Sequence, residues 1–465
     1  MYFLLPFRFT TIANKEILVN EVGDFLVVDI GTSKRIVERQ IIKDSELFKD
    51  LIANFFISKT AIPPLIDNIA TRYRTKKSFL TNFTSLHIFV LTLRCNQNCN
   101  YCQASSRNAK DYTFDMKVSS LERSIELMFS TPSPSITMEF QGGESSLTPD
   151  LFEFAIQRTE ELNIKYKKTI TYVLCTNLID VSAELIELCK KNNVLISTSL
   201  DGPPCVHDVN RGKVNSYDKV VEGIRIMREH LGKDKVSALM TTSELSLRYP
   251  EEIIQSYIEN GFNSIFLRAL NPFGLASHNI DWERYNEEFF LFYKKALDII
   301  IEINKNGALF IEEFTAILLR KILTPFSVGF VDLQSPSGII NNVIVYNYDG
   351  YVYASDESRM LAEIGDYTFQ LGHNSDSYHQ IFYGEKALNI AMSWSNEALA
   401  GCSDCAFQAY CGADPVRNYS VQKDMEGHRP TSMFCKKMKN IFDHLFSLII
   451  ERPDEVLPIF KQWIK

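Results

Sequence analysis

The sequence of 465 residues contains no run approaching eighteen apolar residues, so no stretch has the length to cross a bilayer as a helix. It carries no excess of positive charge either. The formal net charge is −8, with 49 Lys and Arg against 57 Asp and Glu, which argues against a general nucleic-acid binder. The opening MYFLLPFRFTTIANKE has no basic leader, no small-residue cleavage site and no uninterrupted apolar core, and does not read as a signal peptide. Ten cysteines are present, but not as a disulfide framework: they fall in two clusters plus the isolated Cys175, Cys189 and Cys205. A reducing, cytoplasmic setting is expected, with neither membrane nor nucleic acid as partner. Internal repeats and low-complexity segments are missing as well. The composition, 45% hydrophobic and 23% charged, is that of an ordinary globular protein, and the length allows two or three domains.

From residue 82 to about 270, short β-branched apolar runs alternate with amphipathic stretches of helical period. The runs are SLHIFVLTL, SITMEF, ITYVLC, NVLISTSL, VSALMT and NSIFLRA; SSLERSIELMFS and SYDKVVEGIRIMREHL are typical of the segments between them. Six such units predict an α/β fold, a parallel sheet open or closed into a partial (β/α)6 barrel of TIM-like form, with ligands at the carboxyl ends of the strands. Residues 1–80 read as a small N-terminal α+β domain: strand-like FLLPFRFTTI, EILVNEV and DFLVVDI, then helical RIVERQIIKDSELFKDLIANFF and a basic connector, TRYRTKK. The barrel is expected over 81–335, with a long helical region from 282 to 323. A third section over 336–440 opens with a hairpin turned at Tyr348-Asp349-Gly350, and 441–465 forms a helical tail.

Directly after the first barrel strand, LTLRCNQNCNYCQAS places Cys95, Cys99 and Cys102 at C-x3-C-x2-C spacing. A four-iron cluster takes one thiolate per iron, so three cysteines leave one iron open, the mark of a reactive centre rather than a saturated structural one. A zinc site more often shows paired C-x2-C units with all four ligands. The later strands end in further polar groups: Gln141-Gly142-Gly143-Glu144, then Cys175-Thr176-Asn177, then Ser199-Leu200-Asp201-Gly202-Pro203 followed by His207-Asp208 and Arg211. Each has an ordinary reading, as a turn, a helix cap or a loop histidine. The three isolated cysteines read as core or loop thiols.

Together, the cysteine spacing and these strand ends resemble the radical S-adenosylmethionine (SAM) superfamily. The resemblance implies that Cys95, Cys99 and Cys102 hold a [4Fe-4S] cluster whose open iron binds SAM, which one electron cleaves to a 5′-deoxyadenosyl radical that abstracts a substrate hydrogen. It assigns SAM contacts to Gly142, Gly143, Glu144, Thr176, Asn177, Ser199, Asp201 and Arg211, and puts Tyr101 beside the adenine. The SLDGP…HD…R run is similar to that of peptide-modifying members.

The second cluster, CSDCAFQAYC followed by FCKK, gives Cys402, Cys405, Cys411 and Cys435, enough ligands to saturate a site. Thiolate chemistry alone leaves zinc and iron–sulfur open. Its C-x2-C-x5-C pattern behind a barrel resembles the SPASM domain, which implies one auxiliary [4Fe-4S] cluster. The family's further cysteines are absent: position 415 is Pro415, and the DGxxY hairpin is followed by Ala354. Two clusters in total are therefore expected, the saturated one serving structure or electron transfer.

SPASM enzymes mostly modify ribosomally made peptides. The opening FRF…EILVNEVGDFLVV and the segment YCGADPVRNY resemble maturases of His-Xaa-Ser repeat systems. Their implied partners are a precursor peptide and an electron donor such as flavodoxin or ferredoxin; the strand-then-helix order of residues 1–80 suggests either a leader-peptide recognition module that binds by strand addition or a domain that packs on the barrel. An anaerobic sulfatase maturase and a non-catalytic metal-binding scaffold are the competing readings. Asp201, Tyr353, Asp356 and the free thiols are candidates for a base or hydrogen donor.

Overall fold

The computed structural model describes residues 2–61, 64–274 and 280–465. At the N-terminus, β1 (Phe7–Ile12), β2 (Lys15–Asn20) and β3 (Phe25–Asp29) form an antiparallel meander in that order. The expected strand FLLPFRFTTI is split at Pro6, which has no N–H to give a ladder, and Phe3–Leu4 pairs instead with Ile57–Ser58. The helical stretch RIVERQIIKDSELFKDLIANFF is divided between two helices, Thr32–Val37 and Glu46–Ala53. Left-handed backbone at Arg39 and Asp44 ends the first, and Ser45 caps the second by accepting from the Phe48 N–H at 3.2 Å. TRYRTKK is not a connector: Thr71 to Lys76 close the helix Leu65–Lys76, with no Gly or Pro to stop it.

The principal sheet has eight strands. Its parallel part comprises β4 (Leu86–Thr92), β5 (Ser135–Gly142), β6 (Thr169–Cys175), β7 (Leu195–Ser199) and β8 (Val236–Leu239), ordered β8-β7-β6-β5-β4. Helices between the strands cover the sheet, and β4 is buried almost throughout, as a central parallel strand must be. The sheet then continues past β4. Two short strands, β9 (Ser264–Ile265), which pairs with Ile311–Glu312, and β10 (Val343–Tyr346), follow in the chain, and β10 lies parallel to β4. The hairpin from β10 to β11 (Tyr351–Tyr353) turns at Gly350, whose φ of 88° suits glycine, and β12 (Gln370–His373) completes the edge.

The sixth barrel run is much shorter than NSIFLRA suggests. β9 lies outside the principal sheet, and among the described residues a single parallel bridge, between Thr242 and Ala269, joins this run to the barrel. The cause is the buried Glu312 carboxylate, which takes the Leu267 N–H at 3.0 Å, a donor that a ladder would otherwise use. The long helical region is likewise two helices, α1 (Trp282–Lys305) and Glu313–Leu323, separated at Gly307 with φ 88°.

One continuous apolar core links Ile17 and Val19 of β2, Phe89 and Phe140 of the barrel, and Phe442 and Phe446 of α2 (Met433–Glu451). The helix α2 spans residue 440, where the sequence suggests a boundary, and packs on α1. Among the described residues, no helix is long and apolar enough to cross a membrane.

Candidate functional site

The carboxyl ends of β4 to β7 converge on the loop that carries the first three cysteines. Arg94, one residue before Cys95, anchors its start. Its guanidinium donates to both Asp115 oxygens at 2.7 and 2.8 Å and to the Ala109 carbonyl at 2.8 Å, and lies 4.3 Å over the Tyr112 ring. The middle of the loop hangs on the helix Pro204–Arg211: the Asn98 N–H donates to the Arg211 carbonyl at 3.3 Å and the Asn100 N–H to the Asn210 carbonyl at 3.0 Å. The Gln97 amide reaches Ser216 at 2.7 Å, and Ser216 also meets Nε2 of the buried His207 at 3.2 Å.

The fourth strand end is joined to this loop by a buried ion pair. Arg211 donates from Nε and Nη2 to the two oxygens of Asp201 at 2.9 and 2.8 Å, and Nη1 lies 4.0 Å from the Cys99 sulfur. The Tyr101 hydroxyl donates to the same carboxylate at 2.6 Å, and the guanidinium sits 5.5 Å over its ring. Burial alone would raise the Asp201 carboxyl; the Arg211 charge overcomes this and holds it below the usual carboxylate range. Burial, aided by the Asp201 carboxylate and opposed by the Arg211 charge, pushes the Tyr101 phenol well up, so it remains a donor. Tyr101, Asp201 and Arg211 thus form one unit beneath the cysteine loop, with Ser199 half-buried at the end of β7.

The glycines act on the same loop from the other side. A Cβ on Gly142 would stand 2.2 Å from the Thr92 carbonyl oxygen, and one on Gly143 would stand 2.2 and 2.5 Å from those of Arg94 and Leu93. Only glycine lets β5 close on the backbone that leads into Cys95. Gly143→Ala is therefore expected to lose at least about 2 kcal/mol of stability, read from the urea midpoint at unchanged slope; a midpoint indistinguishable from wild type would contradict this packing. Glu144 next to it is buried, and both of its oxygens are engaged by the protein: the Thr176 hydroxyl donates at 2.6 Å, the Asn177 N–H at 2.7 Å and the Ser146 N–H at 3.2 Å. Glu144 thereby fixes the third strand end, while the Asn177 side chain donates to Asn96 of the cysteine loop at 2.8 Å.

Cys95, Cys99 and Cys102 are each partly buried, and are near enough that the charge of one raises the thiol pKa of another. Burial pushes Cys95 up to about 12. Three thiols gathered on one partly buried loop fit an iron–sulfur cluster, whose ligands are thiolates.

The second set is assembled from a loop and a helix end. The Cys402 and Phe407 carbonyls accept from the Cys405 and Cys411 N–H groups at 3.0 and 3.1 Å, and Ser432 caps α2 by accepting from the Cys435 N–H at 3.2 Å. All four sulfur-bearing residues line one pocket, closed by Phe407, Phe442 and Met438. Arg429 and Lys439 oppose the upward effect of burial on Cys402 and Cys435, and Lys321 does so on Cys411. Four thiols among cations fit a saturated, negatively charged cluster. Pro415 is the first residue of a helix capped by Asp414, and Ala354 is buried, so neither position retains a ligand. Among the described residues, no three His, Cys, Asp or Glu side chains close on one point as a single-ion site.

Several site residues are not evident from motifs. Arg94 and Asn96 support the cysteine loop from beside Cys95. In the barrel interior, the Cys175 thiol donates to Glu139 at 3.5 Å, and burial raises both groups. The alternation of SITMEF, which turns Glu139 to the face opposite Met138 and Phe140, is the one available signal. Asp356, by contrast, is paired with the buried Arg359 at 3.0 Å.

Residues 89–257 match the family model of the radical SAM superfamily. The chain is 22% identical over 363 residues to a cysteine-type anaerobic sulfatase-maturating enzyme of Clostridium novyi, covering 75% of this chain and 91% of that protein. It is 28% identical over 381 residues to the serine-type enzyme of Bacteroides thetaiotaomicron, covering 76% and 86%. Among solved structures, native anSMEcpe with bound AdoMet superposes with a TM-score of 0.64 at 19% identity, over 80% of this chain and 100% of that one. Streptococcus suis SuiB bound to precursor peptide SuiA does so with a TM-score of 0.53 at 16% identity, over 93% and 99%. These structures share the fold.

Proposed function

We propose that this chain is a radical SAM enzyme that modifies a ribosomally made peptide, the His-Xaa-Ser repeat class being its substrate. The observation that carries the reading is the three-thiol loop held between β5 and the Asp201–Arg211 pair at the mouth of the barrel. Cys95, Cys99 and Cys102 would hold a [4Fe-4S] cluster with SAM, which when bound supplies a carbon-centred radical able to abstract hydrogen. Cys402, Cys405, Cys411 and Cys435 would hold an auxiliary [4Fe-4S] cluster. The protein's own part is to fix the loop, exclude water and present the peptide. Gly142, Gly143, Ser199, Thr176 and Asn177 lie at strand ends where SAM would be held, and Glu144, Tyr101, Asp201 and Arg211 position that wall.

The peptide reading is supported by the wide structural cover, 93% of the chain, by a relative crystallised with its precursor peptide. In the N-terminal meander, β3 pairs only with β2 among the described residues, and its Val27 is exposed, so its outer edge offers the backbone donors and acceptors that strand addition uses. A small electron-transfer protein of the flavodoxin or ferredoxin kind would supply the electron.

The similarity to two sulfatase-maturating enzymes favours a second reading, oxidation of a cysteine or serine in a sulfatase peptide. Incubating the reduced, reconstituted protein with a His-Xaa-Ser repeat peptide and, separately, with a sulfatase-derived peptide divides the two. A mass change in the repeat peptide alone is expected; a change in the sulfatase peptide alone would overturn the primary reading.

A further inference from the structure

Between the barrel mouth and α2, two adjoining pockets share Asn271, Arg417, Phe434 and Lys437. The Asn271 carbonyl accepts from the Gln103 amide at 2.8 Å, next to Cys102, and Phe434 precedes Cys435, so this groove runs from one cysteine set to the other. Its walls are largely apolar, with Trp282, Leu270, Phe266 and Phe330 among them.

Arg417 and Lys437 line both pockets, and Arg268 stands on the wall of one of them. The Arg417 side chain is only 8% exposed, and its charge is opposed by Asp332, 3.3 Å from Nη2, and by Asp414, 3.9 Å from Nε. Among the described residues, its Nε and Nη1 nevertheless have no hydrogen-bond partner. A buried donor left unpaired costs free energy, so two on one guanidinium mark a place where a partner belongs. The guanidinium lies 4.3 Å over the Phe434 ring and the Lys437 Nζ 5.8 Å from the same ring; burial, with the Arg417 charge beside it, lowers Lys437 to about 7, so an anion between the two would favour its charged form. Both cations therefore face one small region. Guanidinium and ammonium are donors only, so the atoms that meet them must be acceptors. A carboxylate meets this requirement with two oxygens and a compensating charge.

We propose that Arg417 and Lys437 form a carboxylate seat in the groove between the two cysteine sets, which fixes an acidic group of the peptide substrate while the aromatic walls take its apolar neighbours. This deepens the peptide reading and rests on it. The local fold supports the assignment: Asp414 caps the helix Pro415–Gln422 by accepting from the Val416 and Arg417 N–H groups at 3.0 and 3.1 Å, which sets Arg417 in the first turn, pointing at the groove.

The carboxylate can come from an acidic side chain or from a peptide C-terminus, and four probes separate these. They are N-acetyl-Phe-Asp amide against N-acetyl-Phe-Asn amide, and N-acetyl-Phe-Ala with a free carboxylate against its amide. Binding to the full-length, anaerobically reconstituted protein is measured by calorimetry. The acid is expected to bind at least about tenfold tighter than the amide in one pair, and that pair identifies the source. The preference should collapse in Arg417→Gln and in Lys437→Met; the second variant changes a groove-lining residue and keeps the test decisive if the first fails to fold. Equal binding of acid and amide in both pairs, or a preference that survives in a folded variant, would overturn the seat. An acid preference abolished by the variants, found while no repeat peptide is modified, supports the seat and counts against the peptide reading alone.

Discussion

Cys99→Ala, like Cys95→Ala and Cys102→Ala, is expected to bring 5′-deoxyadenosine release by the reduced, reconstituted protein down to the level of a protein-free control. The loop offers three thiols, and a cluster that must keep one iron open has no spare ligand to lose. Iron content should fall with activity, by about four atoms per chain, while the auxiliary set retains about as many. Cys205→Ala provides the control, since that thiol is exposed and belongs to neither cluster. Turnover by Cys99→Ala within a few-fold of wild type would remove the three-thiol loop from the chemistry.

Arg211→Met should be the most damaging single change outside the cysteines. The Arg211 side chain is 9% exposed and that of Asp201 is fully buried, and the guanidinium supplies two of the donors on that carboxylate. Removing one partner of a buried ion pair leaves the other charged and unpaired, which costs about 3–5 kcal/mol. Tyr101 and the Thr241 N–H, at 2.6 and 3.2 Å, cannot compensate for the lost charge. The loss is read from urea unfolding under anaerobic conditions, and Arg211→Met combined with Asp201→Asn should recover part of it, because the uncompensated charge is then gone. A single variant within about 1 kcal/mol of wild type would show that the pair does not hold the loop.

The parts of this molecule that were legible in the sequence are those encoded locally. Leu86–Thr92 to Val236–Leu239 are runs of β-branched and apolar residues between amphipathic helices, and they form the parallel strands expected. Cys95, Cys99 and Cys102 lie close in the chain, and one turn after a strand is enough to place them. The hairpin at Gly350 follows from its turn chemistry. What escaped depends on partners distant in the chain. The sixth strand is cut short by Glu312, 45 positions from Leu267 in sequence, and no local pattern announces that carboxylate. The helix Leu65–Lys76 looks polar because its basic residues are satisfied elsewhere, Arg72 by Asp24 and Lys76 by the Lys321 carbonyl. The hairpin's pairing with Leu86–Thr92 and the convergence of Arg417 and Lys437 on Phe434 are likewise products of the assembled fold.

Strand-end motifs also took on a different meaning once placed. Gly142 and Gly143 are required by the backbone of residues 92–94, and Glu144 binds the next strand end. The Tyr101 hydroxyl is engaged by Asp201. Each of these contacts serves to hold the cysteine loop in one position, which is what a reaction begun by a radical demands of its surroundings: a wrongly placed substrate would be attacked at the wrong carbon.

The most direct test of that account is the mass of a His-Xaa-Ser repeat precursor peptide co-expressed anaerobically with the wild-type protein and, in parallel, with Cys95→Ala. A mass shift with wild type that is absent with Cys95→Ala is the predicted result; a peptide of unchanged mass in both would contradict the proposed function.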